Sequence, residues 1–253
     1  GVKKEKDLLL AEKIDKSWRS GFALINYYME NGMWKESYEI GKQYSKKYPT
    51  NYYIGLKYAG TLNKMGKYND ALSLLEKLQV LPNEGAYAGR EVYRSANLNQ
   101  SLEYIKRNNY QMALQKISDS EKWPENLGVG KPYDEEIDNR LEKYMKAIIY
   151  EKLGRTNETE KLFQEIVSFQ TELSHFRSTD LLKALVLKKS GKESESNMLI
   201  DSWKTTLGNN PIAQWCIAAY MGDNESANRL LNKKNLEKQA TPWEVQYRDP
   251  DFE

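Results

Sequence analysis

The sequence is poor in the residues that build metal and redox sites. Its 253 residues include one cysteine and one histidine, Cys216 and His175. A single cysteine cannot form an internal disulfide and gives no indication of the redox compartment. Cys216 lies in an apolar run and is expected to be a buried, unreactive thiol. His175 has no cysteine or carboxylate at metal-ligand spacing, so neither a metal site nor a serine triad is predicted.

An excess of one charge and long hydrophobic runs are also lacking. Lys and Arg together number 38 against 36 for Asp and Glu, which leaves a formal net charge of +2. So small an excess does not predict binding to nucleic acid or to an anionic membrane surface. No run of about 18 apolar residues is present, and a membrane span is therefore not predicted.

One short segment has a superficial likeness to a phosphate-binding loop. It is Gly128-Val129-Gly130-Lys131. The phosphate-loop motif requires an earlier glycine and a Ser or Thr after the lysine, whereas Pro132 follows here and no predicted strand precedes. We therefore predict no nucleotide site and no other cofactor.

The sequence does contain a helical hairpin in residues 52–82. Two short amphipathic helices are joined at Met65-Gly66-Lys67 and ended by Pro82, as in one tetratricopeptide repeat (TPR) unit. The apolar residues at helical spacing are Leu62, Leu72, Leu75 and Leu78. One unit cannot bury such a face alone, so neighbouring copies are expected.

The copies are marked by a turn glycine that a small residue follows five positions later. The pairs are Gly32 with Ser37, Gly66 with Ala71, Gly154 with Thr159, Gly191 with Ser196, and Gly222 with Ala227. Asn108 with Ala113 keeps the same offset, and Asn is the residue next most tolerant of a left-handed helix end. The predicted fold class is all-α, a TPR-like α-solenoid of about five to six helical hairpins with irregular insertions.

We predict one solenoid domain over residues 1–253. Its predicted parts are three hairpins in 17–124, a structured loop in 125–138, later hairpins and a polar cap in 139–235, and an extended tail in 236–253. Two prolines and two glycines in residues 123–138 argue against a regular helix there.

The Gly-Val start is typical of an expression fragment, so a cytoplasmic, a periplasmic and an exported location all stay open.

Two polar stretches form the candidate interaction surface. The residues near the start of the third hairpin are Glu84, Arg90, Glu91, Tyr93 and Arg94, and those in and after the loop are Lys131, Tyr133, Asp134 and Arg140. Loops of repeat proteins often carry function, and Lys131 to Asp134 offer a cation, an aromatic ring and an acceptor. Solvated ion pairs in the helix and a structural clasp in the loop are the alternative interpretations.

The same two stretches resemble a known family. They are Val80-Leu81-Pro82-Asn83-Glu84-Gly85-Ala86 with Gly89-Arg90-Glu91 and Tyr93-Arg94, and Trp123-Pro124-Glu125-Asn126-Leu127-Gly128-Val129-Gly130-Lys131-Pro132. Both resemble the C-terminal TPR region of large bacterial multidomain proteins. In that family a domain of unknown function, similar to a galactose-mutarotase-like β-sandwich, lies on the N-terminal side. The resemblance covers roughly residues 18–167 and implies no catalytic residue.

Three functional hypotheses follow. The first is a non-catalytic scaffold of a carbohydrate-related bacterial protein, with Glu84, Arg90 and residues 127–134 facing the upstream domain. The second is a stand-alone peptide- or protein-binding adaptor. Its groove would be lined by Tyr27, Tyr53, Tyr58, Tyr93 and Asn97. The third is an α/α carbohydrate-active enzyme with Glu84 paired to Glu91 or Asp134.

Overall fold

The computed structural model describes residues 2–82, 86–170 and 173–231, and within them every regular element is a helix. Glu84 and the predicted tail 236–253 lie outside the described residues, as does the end of the predicted cap. The chain divides into two compact units, residues 1–134 and residues 135–253.

The first unit contains three helical hairpins preceded by one further helix. Its helices are α1 (Val2–Ile14), α2 (Trp18–Glu30), α3 (Trp34–Lys47), α4 (Tyr52–Lys64), α5 (Tyr68–Leu75), α6 (Ala88–Lys106) and α7 (Tyr110–Ser120). The pairs α2–α3, α4–α5 and α6–α7 form the hairpins. A 3-10 turn, Glu125–Leu127, follows them.

The second unit contains three more hairpins. Its helices are α8 (Arg140–Lys152), α9 (Thr156–Ser168), α10 (Asp180–Lys189), α11 (Glu193–Thr206), α12 (Pro211–Tyr220) and α13 (Asn224–Leu231). The six hairpins of the described residues confirm the predicted fold class. Before the second of these hairpins, residues 173–175 form a 3-10 turn. The helix α10 begins only at Asp180, whose carboxylate accepts a hydrogen bond from the Arg177 amide at 2.7 Å.

All six hairpins turn in the same way, through one residue with positive φ. The turn residues are Gly32, Gly66, Asn108, Gly154, Gly191 and Gly222, with φ between 54° and 77°. The residue after each turn residue donates its amide to the carbonyl five positions back, as Lys67 does to Leu62 at 2.9 Å. This is the Schellman arrangement, and it satisfies carbonyls that the helix end would leave open. The prediction that Asn108 replaces glycine at a left-handed helix end is confirmed.

The small residue of each pair is buried where the two helices of a hairpin meet. The six are Ser37, Ala71, Ala113, Thr159, Ser196 and Ala227. Ser196 donates its hydroxyl to the carbonyl of Ala184, twelve residues earlier, at 2.7 Å. The Thr159 hydroxyl lies 3.5 Å from the carbonyl of Ala147, which is also twelve residues earlier. A larger side chain would separate the two backbones, so the small residue is a packing requirement.

The second hairpin has its own hydrophobic core. Leu75, only 1% exposed, packs in one cluster with Ala59, Leu78, Val80 and Leu127. Leu127 belongs to the 3-10 turn after the third hairpin, so the cluster joins residues distant in sequence.

We predict that Leu75→Ala lowers the free energy of unfolding by about 2–5 kcal/mol, because it removes buried methyl groups and leaves a cavity. The measurement is chemical denaturation followed by circular dichroism. Leu81→Ala is the matched control, since Leu81 is 67% exposed. Equal midpoints for the two variants would contradict the assigned core.

Candidate interaction surface

The two stretches that carry the family resemblance meet in the structure. The Val80 amide donates to the carbonyl of Asn126 at 2.8 Å. The Asn126 side-chain amide donates in turn to the carbonyls of Leu75 and Leu78, at 2.9 and 2.8 Å. Gly128 has φ 77°, and a Cβ there would lie 2.9 Å from the Val80 carbonyl oxygen. This set of contacts, which we call the clasp, holds the end of the second hairpin and supports a structural role for residues 126–128.

Arg90 is part of the same interior rather than of the surface. Its side chain is 3% exposed. One guanidinium nitrogen donates to the carbonyl of Ser120, at the end of α7, at 2.7 Å. The guanidinium also lies 4.6 Å from the centre of the Trp123 ring, within the range of a cation–π interaction. Arg90 therefore joins the start of α6 to the end of its own hairpin.

Arg140, in the second unit, is completely buried. Its guanidinium forms ion pairs with Asp138 at 2.8 Å and with Asp180 at 2.7 Å. Thr179 accepts from one of its nitrogens at 3.1 Å and donates its own hydroxyl to Asp138 at 2.8 Å. The Phe169 ring lies 4.5 Å from the guanidinium. This buried ion network links the start of α8 to the start of α10.

The charges of the network reinforce one another. Burial alone would raise the pKa of Asp138, but the hydrogen bonds and charge of Arg140 outweigh burial and lower it. Burial alone would lower the pKa of Arg140, and the two aspartates together raise it. The ionised forms are therefore the stable ones, as expected where a buried charge has both partners and hydrogen bonds.

The remaining predicted surface residues, apart from Glu84, which lies outside the described ranges, are at least partly accessible. Glu91 is exposed on α6, while Tyr93 and Arg94 are half-buried. Burial raises the pKa of the Tyr93 phenol. Tyr133 is 74% exposed, and Lys131 forms an exposed ion pair with Asp134 at 2.6 Å.

Two half-buried aromatic residues of α2 that no hypothesis from the sequence names, Trp18 and Phe22, lie beside Tyr53 of α4, which the adaptor hypothesis does name. The Arg19 guanidinium lies 4.6 Å from the centre of the Trp18 ring, and Trp18 stacks on Tyr53 at 5.4 Å. Phe22 meets the Tyr53 ring edge-on at 6.2 Å, and the Lys57 ammonium lies 5.7 Å from the Phe22 ring centre. These five residues of α2 and α4 are called the first-helix face. Tyr53 is 45% exposed. The signal in the sequence is a spacing of four residues within each helix. Trp18 is followed four positions later by Phe22, and Tyr53 is followed four positions later by Lys57.

The other groove residues proposed for an adaptor are less accessible. Tyr27 is buried, and Tyr58 packs beside Tyr38 with ring centres 5.8 Å apart. Asn97 is 1% exposed and donates to the carbonyl of Tyr93 at 3.0 Å. Of that predicted set, Tyr53 is the most accessible member.

The second unit contains an open groove of about 710 Å³ between α9 and α10. Phe163, Val167 and Leu187 contribute apolar walls, and an ion pair between Lys189 and Glu151, at 3.1 Å, borders it. Among the described residues no cluster of three or more His, Cys, Asp or Glu side chains is arranged to hold a metal ion. No helix in the described ranges has the length and apolar character needed to cross a membrane.

We predict that Asn126→Ala lowers the free energy of unfolding by about 1–3 kcal/mol, because two carbonyls lose their donor inside the clasp. Tyr133→Ala, in the exposed part of the same loop, should change stability by less than about 0.5 kcal/mol. Thermal denaturation of both variants is the measurement. A larger loss of stability from Tyr133→Ala than from Asn126→Ala would contradict the structural role assigned to residues 126–128.

We also predict that Arg140→Ala costs about 3–5 kcal/mol at neutral pH, because two buried carboxylates lose their cation. The stability that Asp138 contributes in the wild type is present above its ordinary pKa of 3.8 and is lost as the pH falls through the lowered pKa. Urea denaturation across the acidic range measures both effects. Arg155→Ala, which removes an exposed pair with Glu158, is the control and should have little effect.

No protein-family model matches the chain, and no curated protein matches it. Among solved structures, the chain is similar to the crystal structure of a tetratricopeptide repeat protein from Parabacteroides merdae ATCC 43184. The TM-score is 0.51 at 17% identity, covering 95% of this chain and 87% of that chain. At this identity the likeness shows the fold alone, and that fold is a TPR-like α-solenoid.

Proposed function

We propose that this protein is a non-catalytic interaction scaffold that binds a protein partner through the first-helix face. The observation that carries the proposal is the position of Lys57. Burial lowers the pKa of this lysine, and the charge of Glu30 acts in the opposite direction. Within the part of the chain that the structure describes, Lys57 forms no ion pair. A partner carboxylate would stabilise the ammonium that burial disfavours.

The rings beside Lys57 suit the centre of a protein interface. Trp18, Phe22 and Tyr53 contact one another across two helices, so their positions are set before a partner arrives. Aromatic and arginine side chains held in this way contribute most of the binding energy at many interfaces, and preorganisation reduces the entropy lost on binding. We infer a partner surface that combines apolar and acidic side chains.

The family resemblance supports a more specific setting. There the partner is the upstream β-sandwich domain of the same large bacterial protein, and the parent protein handles carbohydrate. The chain then acts as a helical support on which that domain packs. The clasp and Arg90 stabilise this support from within and do not themselves contact the partner.

A second candidate is a stand-alone adaptor, which the exposure of Tyr53 favours. The first-helix face is the same in both cases, and only the partner differs. An α/α carbohydrate-active enzyme has less support. Of its proposed acids, Glu84 lies outside the described residues, Glu91 and Asp134 are both exposed, and Asp134 is paired with Lys131.

The proposal is tested by calorimetric titration of this chain with the separately expressed upstream domain. We expect saturable binding that Lys57→Glu weakens by about tenfold or more, because reversing a charge at a desolvated position opposes an acidic partner. Tyr53→Ala should weaken binding as well, through loss of apolar contact.

The matched control is Lys131→Glu, which reverses an exposed charge in the same unit. Binding weakened by Lys131→Glu and untouched by Lys57→Glu would move the interface to the loop and contradict the first-helix face. Absence of binding would remove the upstream domain as partner and favour the stand-alone adaptor.

A further inference from the structure

The turn of the first hairpin contains a chemically reactive pair of residues, Asn31 and Gly32. Asn31 is the C-cap of α2, and Gly32 has φ 68°. Both residues are exposed, and a Cβ on Gly32 would meet nothing within 4 Å. Asn31 is the only asparagine in the sequence that a glycine follows. Because glycine has no side chain, nothing on it hinders an attack by its own backbone nitrogen on the neighbouring amide.

That attack needs no enzyme, cofactor or oxidant. The Gly32 backbone nitrogen loses its proton and forms a bond to the side-chain carbonyl carbon of Asn31. The bond from that carbon to Nδ2 breaks, and ammonia leaves with the proton. Water then opens the resulting cyclic imide at either of its two carbonyls. The product at position 31 is therefore aspartate or isoaspartate.

The folded turn opposes this reaction at two atoms. The leaving group, Nδ2 of Asn31, donates a hydrogen bond to the carbonyl of Tyr27 at 2.7 Å. The attacking nitrogen, that of Gly32, donates its proton to the carbonyl of Met29 at 3.3 Å. A hydrogen bond from this amide favours its protonated form and so disfavours the attack. In the closed turn both groups are thus held on α2.

We propose that Asn31 is a modification site, at which the chain deamidates spontaneously at a rate set by opening of the first hairpin. Opening releases both hydrogen bonds together. Each hairpin of a repeat array contacts only its neighbours, so one hairpin can open while the rest of the chain stays folded. The rate of deamidation therefore reports how often this turn opens.

Deamidation also weakens the turn that opposed it. The new carboxylate lies at the C-terminal end of α2, next to Glu30, where the helix dipole disfavours negative charge. It can no longer donate to the Tyr27 carbonyl. Isoaspartate adds a carbon to the backbone as well, which changes the spacing of the closing hydrogen bond from the Met33 amide to the Tyr28 carbonyl. A modified chain should therefore open more often than an unmodified one.

The modification also affects the proposed partner surface, a consequence that rests on the proposed function. Helix α2 supplies Trp18, Arg19 and Phe22 to the first-helix face, and α4 supplies Tyr53 and Lys57. Loosening of α2 would disturb the contacts between the two sets. Deamidation itself is measured without a partner, so this inference can fail while the proposed function stands, and the reverse.

The rate is measured by peptide mapping with mass spectrometry after incubation of the full chain at mildly alkaline pH. The Asn31 peptide should gain the mass that conversion of an amide to an acid adds, and part of the product should be isoaspartate. In guanidinium chloride concentrated enough to unfold the chain, the rate should rise by at least about tenfold. No modification of the folded protein, or equal rates in the folded and unfolded chains, would overturn the proposal.

Matched variants separate local opening from general instability. Ser37 and Ser196 are the fully buried small residues of the first and the fifth hairpin. Ser37→Leu should raise the rate at Asn31 by about fivefold or more, and Ser196→Leu should change it by less than about twofold. If a leucine variant does not fold, Met33→Pro and Lys192→Pro, which delete the closing amides of the same two turns, replace the pair. Equal acceleration by both members of a pair would contradict control by the first hairpin.

The effect of the product is tested with Asn31→Asp, which should lower the urea midpoint of unfolding. The control is Asn109→Asp, which places the same charge at the N-cap of α7, where the side chain accepts a hydrogen bond from the Met112 amide at 3.2 Å. A carboxylate is favourable at that end of a helix, so the control should not lower the midpoint. Equal losses from the two variants would show that deamidation does not specifically weaken the turn.

Discussion

The close approach of two helix backbones within each hairpin is the constraint on which the structure depends. It requires a turn residue that can adopt positive φ and, five residues later, a side chain small enough to let the helices meet. The residue directly after the turn residue has two roles. Lys67, for example, closes the turn with its amide and accepts the Ala71 amide at its carbonyl as the second helix begins. Turn, helix start and helix contact are thus one unit.

Because this unit is local, it could be predicted from the sequence. The six turn residues, the six small residues and most helix bounds follow from spacing that is visible along the chain. Charged residues were harder to place. Arg90 and Arg140 resemble surface arginines in a polar stretch, yet both are buried. One partner of each, Ser120 for Arg90 and Asp180 for Arg140, lies 30 or 40 residues away, so no local pattern reveals these two contacts. The first-helix face depends on a similar long-range juxtaposition, of α2 with α4.

The position of the clasp changes the meaning of the family-like stretches. Their residues are distinctive because two separated segments must fit one another, with Asn126 reaching two carbonyls and Gly128 resting on Val80. A distinctive motif in a repeat protein can therefore mark an internal joint. The surface proposed for a partner, the first-helix face, lies on helices whose sequences look ordinary.

The twelve-residue separation between the contacting positions of a hairpin, seen for Ala184 and Ser196, also bears on how the chain folds. Such contacts close short loops, and the entropy lost in closing them is small. Chains dominated by local contacts fold quickly, and a repeat array can begin folding at any hairpin. The buried Arg140 network joins positions 40 residues apart and can form only once the start of α8 has met the start of α10. The hairpin turns would then form first during folding, and the buried charge network would form last.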